Sequence, residues 1–294
     1  MNGDHPVHPD HRGKMVVTII GLGLIGGSLA KDLRANGFAD HLIGIEANDS
    51  HAEKALALGL VNEVKPMQEG CMMADVVVLA VPVGATVALF PQVLNMIRPG
   101  AVVMDMGSTK AEIANAISGH PQRGRAVLAH PMAGTEYSGP QAAINHLFFD
   151  KAGIICDRDQ SDPDAVSVAE RLLKSLFMRL IYMNSREHDL HTAYVSHVSH
   201  ISSFVLALTV LEKEKSEANI FNLASGGFAS TARLAKSSPR MWSDVYQQNS
   251  HNLVDVLDSY LDKMQHFRDL IADGNYDETY RLMEEANEIK RILQ

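Results

Sequence analysis

From residue 15 onward, the hydrophobic positions fall into short, nearly unbroken runs rich in β-branched residues, which alternate with stretches of helical periodicity. Apolar runs of this length without polar alternation are typical of parallel strands that helices cover on both faces. The βαβα order predicts a doubly wound sheet with right-handed crossover connections. The predicted strands are 16–21, 41–46, 76–81, 101–105, 126–129, 153–156 and 179–183.

The pattern changes after residue 184, where the strand-like runs stop and helical periodicity continues to the end. Segment 201–211 is apolar on nearly every side, so we expect it to be buried inside a helix bundle or a subunit interface. The chain thus divides into an α/β domain at 15–184 and an all-α domain at 185–294, after a disordered N-terminal arm at 1–14. The predicted helices of the second domain are 186–212, 217–224, 228–236, 239–271 with room for a break, and 276–292.

Capping patterns predict where several helices begin. Thr109 and Glu112 have the spacing of a capping box after the fourth predicted strand. Asp162 precedes a proline, as at the start of many helices. Further helix starts are predicted at Ser238 and Asn275.

Composition and charge narrow the class of protein. The 294 residues, 46% hydrophobic and 21% charged, suit one large globular domain or two ordinary ones. The net charge of −9 argues against a nucleic-acid partner. No apolar run reaches the ~20 residues that span a bilayer, and the N-terminus has no apolar signal segment. Cys71 and Cys156 lie in apolar surroundings and are expected to be free, buried thiols, which favours a cytoplasmic protein.

A dinucleotide-binding motif follows the first predicted strand. Gly21, Gly23 and Gly26 form G-x-G-x-x-G at the start of a helix, where glycines permit a tight turn and backbone N–H groups face a pyrophosphate. Glu46, at the end of the second strand, is placed to accept hydrogen bonds from the adenosine ribose and to repel a 2′-phosphate. The motif predicts a Rossmann-type domain that prefers NAD. We also assign to the cofactor site Leu24, Ile25, Val81 and Pro82.

Two candidate chemical groups follow later strands. Ser108 comes after the fourth strand, where it either faces the nicotinamide and substrate or caps the next helix. His130 comes after the fifth strand, so its imidazole projects into the crevice at the carboxyl edge of the sheet. An imidazole with an ordinary pKa of about 6.5 suits removal of a proton from a hydroxyl carbon.

Two further clusters lie in the helical domain. His197 and His200 are three residues apart on one helix, which permits substrate contact, packing or, with upstream histidines, metal binding. No acidic or cysteine ligand is placed to complete a zinc set, and hydride transfer needs no metal, so none is predicted. Arg233 and Lys236 form a cation pair one turn apart, which is either a carboxylate site beside Trp242 or a solvated basic face.

Taken in order, five strings resemble the prephenate dehydrogenase family over nearly the whole chain from residue 15. The glycine-rich string is shared with many families, whereas the string at 130–136 and the one at 233–242 are much more specific. The strings are Gly-Leu-Gly-Leu-Ile-Gly-Gly-Ser at 21–28, Gly-Ser-Thr-Lys at 107–110, His-Pro-Met-Ala-Gly-Thr-Glu at 130–136, Ser-His-Val-Ser-His at 196–200 and Arg-Leu-Ala-Lys-Ser-Ser-Pro-Arg-Met-Trp at 233–242.

The resemblance implies oxidative decarboxylation of prephenate to 4-hydroxyphenylpyruvate, with NAD as hydride acceptor, in tyrosine biosynthesis. It makes His130 the catalytic group that draws off the 4-hydroxyl proton and Ser108 a contact of the same hydroxyl. Arg233 matches a carboxylate-binding arginine, and the helical domain matches a dimer module. The absence of chorismate mutase and regulatory segments predicts a monofunctional enzyme. The other residues assigned to the substrate site are Thr135, Glu136, Ser196, His200 and Trp242.

Three alternatives stay open. Arogenate dehydrogenase carries out the same chemistry on a substrate with an ammonium group, for which Glu136 is a candidate partner. A different hydride transferase of the same architecture would need a catalytic lysine or aspartate in the helical domain and would leave His130 unexplained. A non-catalytic, NAD-sensing dimer would turn over no substrate.

Overall fold

An eight-stranded sheet occupies the N-terminal half of the computed structural model, which describes residues 15–215, 217 and 220–292. All seven predicted strands are confirmed, and a short strand, β3, was not predicted because only two residues pair. The predicted arm at 1–14 lies outside the described residues. The strands are β1 (Val16–Ile20), β2 (His41–Ile45), β3 (Glu63–Val64), β4 (Val76–Leu79), β5 (Val102–Asp105), β6 (Ala126–Pro131), β7 (Ala152–Cys156) and β8 (Arg179–Met183).

The strand order is β3-β2-β1-β4-β5-β6-β7-β8, with parallel pairing everywhere except between β6 and β7. The expectation of a wholly parallel sheet is therefore wrong at this pair. A parallel neighbour needs a crossover that returns the chain to the starting edge, usually through a helix. The 132–151 connection contains only one short helical turn, Pro140–Ala142, and it begins and ends at the same edge of the sheet.

Helices cover both faces of the sheet, as the unbroken apolar strands predict. One core lies beneath α1 and α6 and contains Leu29, Leu33 and Leu172. The other lies beneath α3, α4 and α5 and contains Phe90 and Ile113. The helices of this half are α1 (Leu24–Ala35), α2 (Asp49–Ala57), α3 (Met67–Met73), α4 (Val83–Met96), α5 (Ala111–Ile117) and α6 (Pro163–Ser175).

The described part of the chain after β8 is helical. A helical run from Ser185 to Glu214 contains one π-helical turn, Ala193–His197, and the predicted break in 239–271 falls at Asn249. The helix predicted at 217–224 is wrong, because its described residues form only a turn at Phe221–Leu223. The helices are α7 (Ser185–Thr192), α8 (Val198–Glu214), α9 (Gly226–Ala232), α10 (Pro239–Gln248), α11 (Ser250–Ala272) and α12 (Tyr276–Ala286).

The predicted capping box at the start of α5 is wrong. Lys110 occupies the N-cap position and makes no side-chain cap, while the Thr109 hydroxyl donates a hydrogen bond to Gln248 instead. The carboxylate of Asp189, on α7, accepts hydrogen bonds from the N–H groups of Lys110 (2.7 Å) and Ala111 (2.8 Å). The first turn of α5 is thus capped from the helical half, which local spacing does not reveal.

The other predicted helix starts are confirmed. Ser238 and Asn275 accept hydrogen bonds from the N–H groups of Met241 (3.5 Å) and Glu278 (3.3 Å). Pro163 begins α6 after Asp162, although Asp162 makes no side-chain cap.

The apolar segment in α8 is largely uncovered within the chain. Val205, Leu208 and Leu211 are 55%, 65% and 50% exposed. Of the two expected covers for this segment, a helix bundle within the chain is therefore wrong and a subunit interface remains. By length and composition alone, the helical run Ser185–Glu214 could cross a membrane, because it contains an 18-residue window with a mean hydropathy of 1.4. This helix limits the expectation from the sequence that no apolar run is long enough to span a bilayer. The buried Asp189 within it, bonded to α5, favours a run that packs on protein.

Candidate active site

The glycine-rich turn between β1 and α1 has the shape of a phosphate cradle. A Cβ at Gly26 would lie 1.9 Å from the carbonyl oxygen of Gly21, and one at Gly21, where φ is +93°, would lie 2.7 Å from the oxygen of Ala80. A Cβ at Gly23 would meet nothing within 4 Å, so this glycine faces open space. Gly23 also begins α1 without a side-chain cap, which leaves backbone N–H groups for an anion.

Glu46 lies beside this turn. One carboxylate oxygen accepts a hydrogen bond from the N–H of Leu22 (2.9 Å), and the other accepts one from Asn48 (3.1 Å). These bonds hold the carboxylate at the carboxyl end of β2. The position agrees with the expected contact to an adenosine ribose.

The remaining cofactor candidates border the same turn. Leu24 and Ile25 are the half-buried first residues of α1 and pack against the core. Val81 follows β4 and packs close to Gly21, where a Cβ would lie 2.7 Å from the Val81 side chain. Pro82 is the N-cap of α4. The structure therefore brings all the predicted cofactor residues to one edge of the sheet.

His130 lies within β6. This strand is two residues longer than predicted, because it continues by antiparallel pairing with β7, where His130 lies opposite Ile154. The residue is only 8% exposed. Ser108 follows β5, the neighbour of β6, and is half-buried. The alternative that Ser108 caps α5 is wrong, because Lys110 holds the N-cap position.

His130 contacts a buried histidine from the helical half. Its Nδ1 lies 2.8 Å from Nε2 of His188, and the two rings meet edge to face. Nδ1 of His188 in turn lies 2.8 Å from a carboxylate oxygen of Asp189. His188 and Asp189 are 0% and 2% exposed, so the three side chains form a dry row across the junction of the two halves.

A buried ion pair supports the same strand end. The ammonium of Lys110 contacts the carboxylate of Asp105 and donates a hydrogen bond to the carbonyl of Ala129 (2.8 Å), next to His130. The other oxygen of Asp105 accepts a bond from the N–H of Ala129 (3.2 Å). Both charged side chains are fully buried, so they satisfy each other and fix the backbone that carries His130.

The buried imidazoles are held neutral. Burial lowers the pKa of His130 well below its ordinary value, and electrostatic interactions with His188, Lys110 and His197 lower it further. Burial also lowers the pKa of His188, against the opposing effect of Asp189. Burial lowers the pKa of His197 to about 4. His130 is therefore available as a proton acceptor near neutral pH.

Trp242 joins the two halves near this row. With Val83 of α4 and Val245 it forms a small apolar core between the domains. The His200 ring stacks on the indole with centroids 3.7 Å apart, and the His197 ring meets it edge to face at 5.8 Å. The predicted face of two histidines is thus confirmed, and both rings contact one aromatic wall.

Ser196 and His200 are linked by the helix backbone. Nδ1–H of His200 donates to the carbonyl of Ser196 (3.0 Å), which leaves Nε2 of a neutral ring as an acceptor. Burial lowers the pKa of His200, the bond to Ser196 opposes this, and the charge of Arg233 lowers it further. Arg233 therefore lies close enough to His200 to act on it electrostatically.

Arg233 also reaches across to the loop that follows β6. Its guanidinium lies 3.5 Å from the carboxylate of Glu136, whereas Thr135 beside it is exposed. The Arg233 side chain is 52% exposed, so the pair is accessible to an anionic ligand. Within the described residues, no three His, Cys, Asp or Glu side chains converge to hold a metal ion.

Two family models match the chain in succession. The nucleotide-binding domain of prephenate dehydrogenase matches residues 29–182, and the dimerization domain of prephenate dehydrogenase matches residues 184–285. The chain belongs to the prephenate dehydrogenase family. The resemblance seen in the five sequence strings is therefore confirmed.

Curated relatives in the prephenate dehydrogenase family include enzymes with different names. The chain is 30% identical to a prephenate dehydrogenase from Bacillus subtilis over 94% of this chain and 76% of the relative. It is also 30% identical to a cyclohexadienyl dehydrogenase from Zymomonas mobilis over 88% of this chain and 90% of the relative.

Solved structures show the same fold. Prephenate dehydrogenase from A. aeolicus, in complex with hydroxyphenyl propionate and NAD+, superposes with a TM-score of 0.86 at 27% identity, covering 97% of this chain and 100% of that one. Arogenate dehydrogenase from Synechocystis superposes with a TM-score of 0.75 at 26% identity, covering 95% and 100%.

Membership of the prephenate dehydrogenase family establishes the class of chemistry. The protein is an NAD-dependent dehydrogenase with a Rossmann-type domain and a helical dimerisation domain. The cradle at Gly21–Gly26 and the Glu46 carboxylate beside it fit this cofactor. The uncovered face of α8 lies within the dimerisation domain, which explains why this apolar face is exposed in one chain.

Sequence reasoning missed four supporting residues of this site. His188 entered only a metal hypothesis, and Asp189, Lys110 and Asn249 were assigned no role. Asn249 donates from Nδ2 to the carbonyl of Asp189 (2.7 Å), and the same nitrogen lies 3.1 Å from Nδ1 of His197. The available signal was a histidine–aspartate pair at the first helix after the last strand, because that helix begins where the domains meet.

Proposed function

We propose that the protein catalyses the oxidative decarboxylation of prephenate to 4-hydroxyphenylpyruvate in tyrosine biosynthesis. The observation that carries the proposal is His130, a buried, neutral imidazole at the same carboxyl edge of the sheet as the glycine cradle. A group of this kind suits abstraction of a proton from a hydroxyl whose carbon loses a hydride.

In this reaction the proton of the 4-hydroxyl is removed and later returns to the same oxygen. Bound NAD supplies the acceptor for the hydride that leaves C4 of the ring. Nε2 of His130 accepts a hydrogen bond from the 4-hydroxyl and takes its proton as the C4–O bond becomes a carbonyl. Loss of the ring carboxylate as CO₂ leaves its electron pair in the ring, and the oxygen regains the proton as a phenol. His130 must therefore hold a proton briefly without releasing it to water.

Other residues orient the substrate. Ser108, near the same strand ends, contacts the 4-hydroxyl. Arg233 binds a substrate carboxylate, displacing the carboxylate of Glu136 that it contacts in this structure. Thr135 and Glu136 form one wall of the substrate site, and the opposite wall is formed by Ser196, His200 and Trp242.

The cofactor contacts follow from the cradle. The backbone of Gly21, Gly23 and Gly26 faces the pyrophosphate, with Leu24 and Ile25 in the first turn of α1. Glu46 binds the adenosine ribose and disfavours NADP, so turnover with NADP should be much weaker than with NAD. Val81 and Pro82 border the nicotinamide side. The buried, free Cys71 and Cys156 support a cytoplasmic location, and the helical half forms the homodimer.

Arogenate is the second candidate substrate. Glu136 is a carboxylate at the rim of the site, 17% exposed, and is available to an ammonium group once a substrate carboxylate has taken Arg233. The similarity to arogenate dehydrogenase from Synechocystis and to a cyclohexadienyl dehydrogenase keeps this substrate in the test.

NADH formation with prephenate and with arogenate, for wild type and for His130→Asn, tests the proposal. We expect turnover of prephenate that falls by about 10²- to 10⁴-fold in the variant, with NAD affinity unchanged. Turnover of arogenate alone would keep the mechanism and change the substrate. Turnover of neither would contradict the proposed activity and favour a dimer that only senses NAD.

A further inference from the structure

Five buried polar side chains meet where the end of β6 contacts α7. Two of them, Lys110 and Asp105, are in direct ionic contact and cancel each other's charge. The remaining three form the row from His130 through His188 to Asp189, in which each polar contact is 2.8 Å long. All five are less than one-tenth exposed, so water is excluded from the row.

The direction of the hydrogen bonds in this row follows from its acidic end. Both oxygens of Asp189 accept bonds from the backbone N–H groups of Lys110 and Ala111, so the group acts as an acceptor carboxylate. Nδ1 of His188 must therefore carry the proton that points at Asp189. In a neutral ring this leaves Nε2 of His188 as an acceptor, and Nδ1 of His130 must donate to it.

The consequence lies at the free end of the row. When Nδ1 of a neutral imidazole carries the proton, Nε2 has a lone pair. Nε2 of His130 is the nitrogen not used in the contact with His188. The row thus selects, from the two tautomers of His130, the one that can accept a proton from a substrate hydroxyl.

The charges of the cluster point to a second role. With Lys110 and Asp105 neutralised by each other, Asp189 carries the one negative charge that has no cationic side-chain partner in the row. A proton on His130 converts the row from one net negative charge to none. A buried positive charge is costly unless it is paired, so Asp189 supplies the compensating charge in advance.

We propose that His188 and Asp189 are positioning residues that fix the proton-accepting tautomer of His130 and balance the charge it gains while it holds the substrate proton. This proposal rests on the proposed function, in which His130 is the proton acceptor. Neither residue touches the substrate, and both act through His130.

Two substitutions of His188 separate its functions. His188→Gln places an amide oxygen near the position of Nε2, where it accepts the proton of His130 Nδ1. His188→Asn is too short to reach His130 but still donates to Asp189. We expect kcat of His188→Asn to fall by about 10²-fold or more, with kcat/KM falling equally, and kcat of His188→Gln to stay about tenfold higher than that of His188→Asn.

Asp189→Asn tests the charge. Its amide retains the size of the side chain but removes the charge, and in either orientation its NH2 group faces a backbone N–H, of Lys110 or of Ala111, that the carboxylate accepted. We expect kcat to fall by about 10²- to 10⁴-fold. Removing the negative charge also lowers the pKa of the imidazole pair, so the acid limb of the kcat–pH profile should move to lower pH. A merely structural role of Asp189 would lower activity without moving that limb.

The kcat–pH profile depends on every charged or titratable group that faces the pair of His130 and His188. Lys110 and Asp105 approach from the end of β5, and the π-helical turn contributes a histidine. None of these is altered in the variants, so a shift of the limb reports on Asp189. Besides Asp189, the groups are Asp105, Lys110, Cys156 and His197.

His191→Asn, an exposed histidine on the same helix, is the matched control and should leave kcat and the profile unchanged. NAD affinity and thermal unfolding check that each variant is folded. If His130→Asn abolishes turnover while His188→Asn and Asp189→Asn stay within about twofold of wild type, the positioning proposal is wrong and the proposed function stands. If wild type turns over neither substrate, the proposed function itself has failed. Should His188→Asn not fold, the profile of Asp189→Asn decides alone.

Discussion

The carboxylate of Asp32 accepts a hydrogen bond from the backbone N–H of His146 across 2.9 Å. Asp32 lies on α1, the helix that follows the glycine-rich turn, and His146 lies at the far end of the loop that carries Glu136. Ser28 of the same helix accepts a second bond, from the N–H of Ile144 (3.0 Å). The cofactor helix therefore holds the loop that forms one wall of the substrate site.

Loss of the Asp32 carboxylate should loosen this loop. For Asp32→Ala we expect a loss of about 1 kcal/mol in the free energy of unfolding and a higher KM for the aromatic substrate, with NAD affinity nearly unchanged. Steady-state kinetics with titration of NAD measures both. Arg34→Ala is the control, because Arg34 is on the same helix but donates to the carbonyl of Gly59, away from the loop. A drop in NAD affinity without a change in KM would contradict the loop assignment.

Arg233 should matter for substrate binding and little for stability. Its ion pair with Glu136 is half exposed, so Glu136→Gln should change the free energy of unfolding by less than about 1 kcal/mol. Arg233→Lys keeps the charge but loses the planar pair of donors, and we expect KM to rise by about tenfold or more. Lys236→Ala, in the same turn, controls for the loss of nearby positive charge. Equal effects of the two substitutions would refute a specific carboxylate site at Arg233.

The exposed face of α8 should be the place where dimerisation is most easily broken. Leu208 is 65% exposed in one chain and belongs to the dimerisation domain. Leu208→Glu would bury a charge in the interface, so we expect a monomer by light scattering at micromolar concentration. Leu58→Glu, a 46% exposed leucine in the nucleotide-binding domain, should leave the dimer intact. A dimeric Leu208→Glu protein would place the interface on another face.

The elements that local sequence specifies were predicted well. β-branched runs such as that of β4 and the glycines between β1 and α1 act over a few residues, and both were located in advance. The antiparallel direction of β7 was not, because an apolar run covered on both faces looks the same in either direction. For α8 the sequence left two alternatives, a helix bundle or a subunit interface, and its exposure within one chain leaves the interface.

In the candidate site, too, some residues were predicted from local sequence and others were missed. His130 was found because it lies at a strand end, where an open α/β sheet places its ligands. Asp189 was missed because its partners, the N–H groups of Lys110 and Ala111, are far away in the chain. Its local context shows only a polar residue in the first turns of a helix. Contacts between domains carry the supporting residues, and such contacts have no local pattern.

The buried histidines predict how stability depends on pH. The pKa values of His130, His188 and His197 are all lowered in the folded protein, that of His197 to about 4. Below the unfolded value of about 6.5, the unfolded chain binds more protons than the folded one. The free energy of unfolding should therefore fall as pH decreases from 6.5, by about 1.4 kcal/mol per pH unit for each histidine that stays neutral.

Urea unfolding at pH 7 and pH 5 measures this slope, and His197→Asn isolates one contribution. An asparagine oxygen at this position can still accept the bond that Asn249 donates, so the packing is retained while the titrating ring is removed. Between pH 7 and pH 5 the variant should therefore lose about 2 kcal/mol less of its free energy of unfolding than wild type, because only the interval below about 6.5 contributes. The raised pKa of buried Asp32 acts in the opposite direction, because the folded protein binds the extra proton between the unfolded value of about 3.9 and the raised value. An unchanged slope in His197→Asn would mean that His197 becomes protonated within the fold, which its contact with Asn249 argues against.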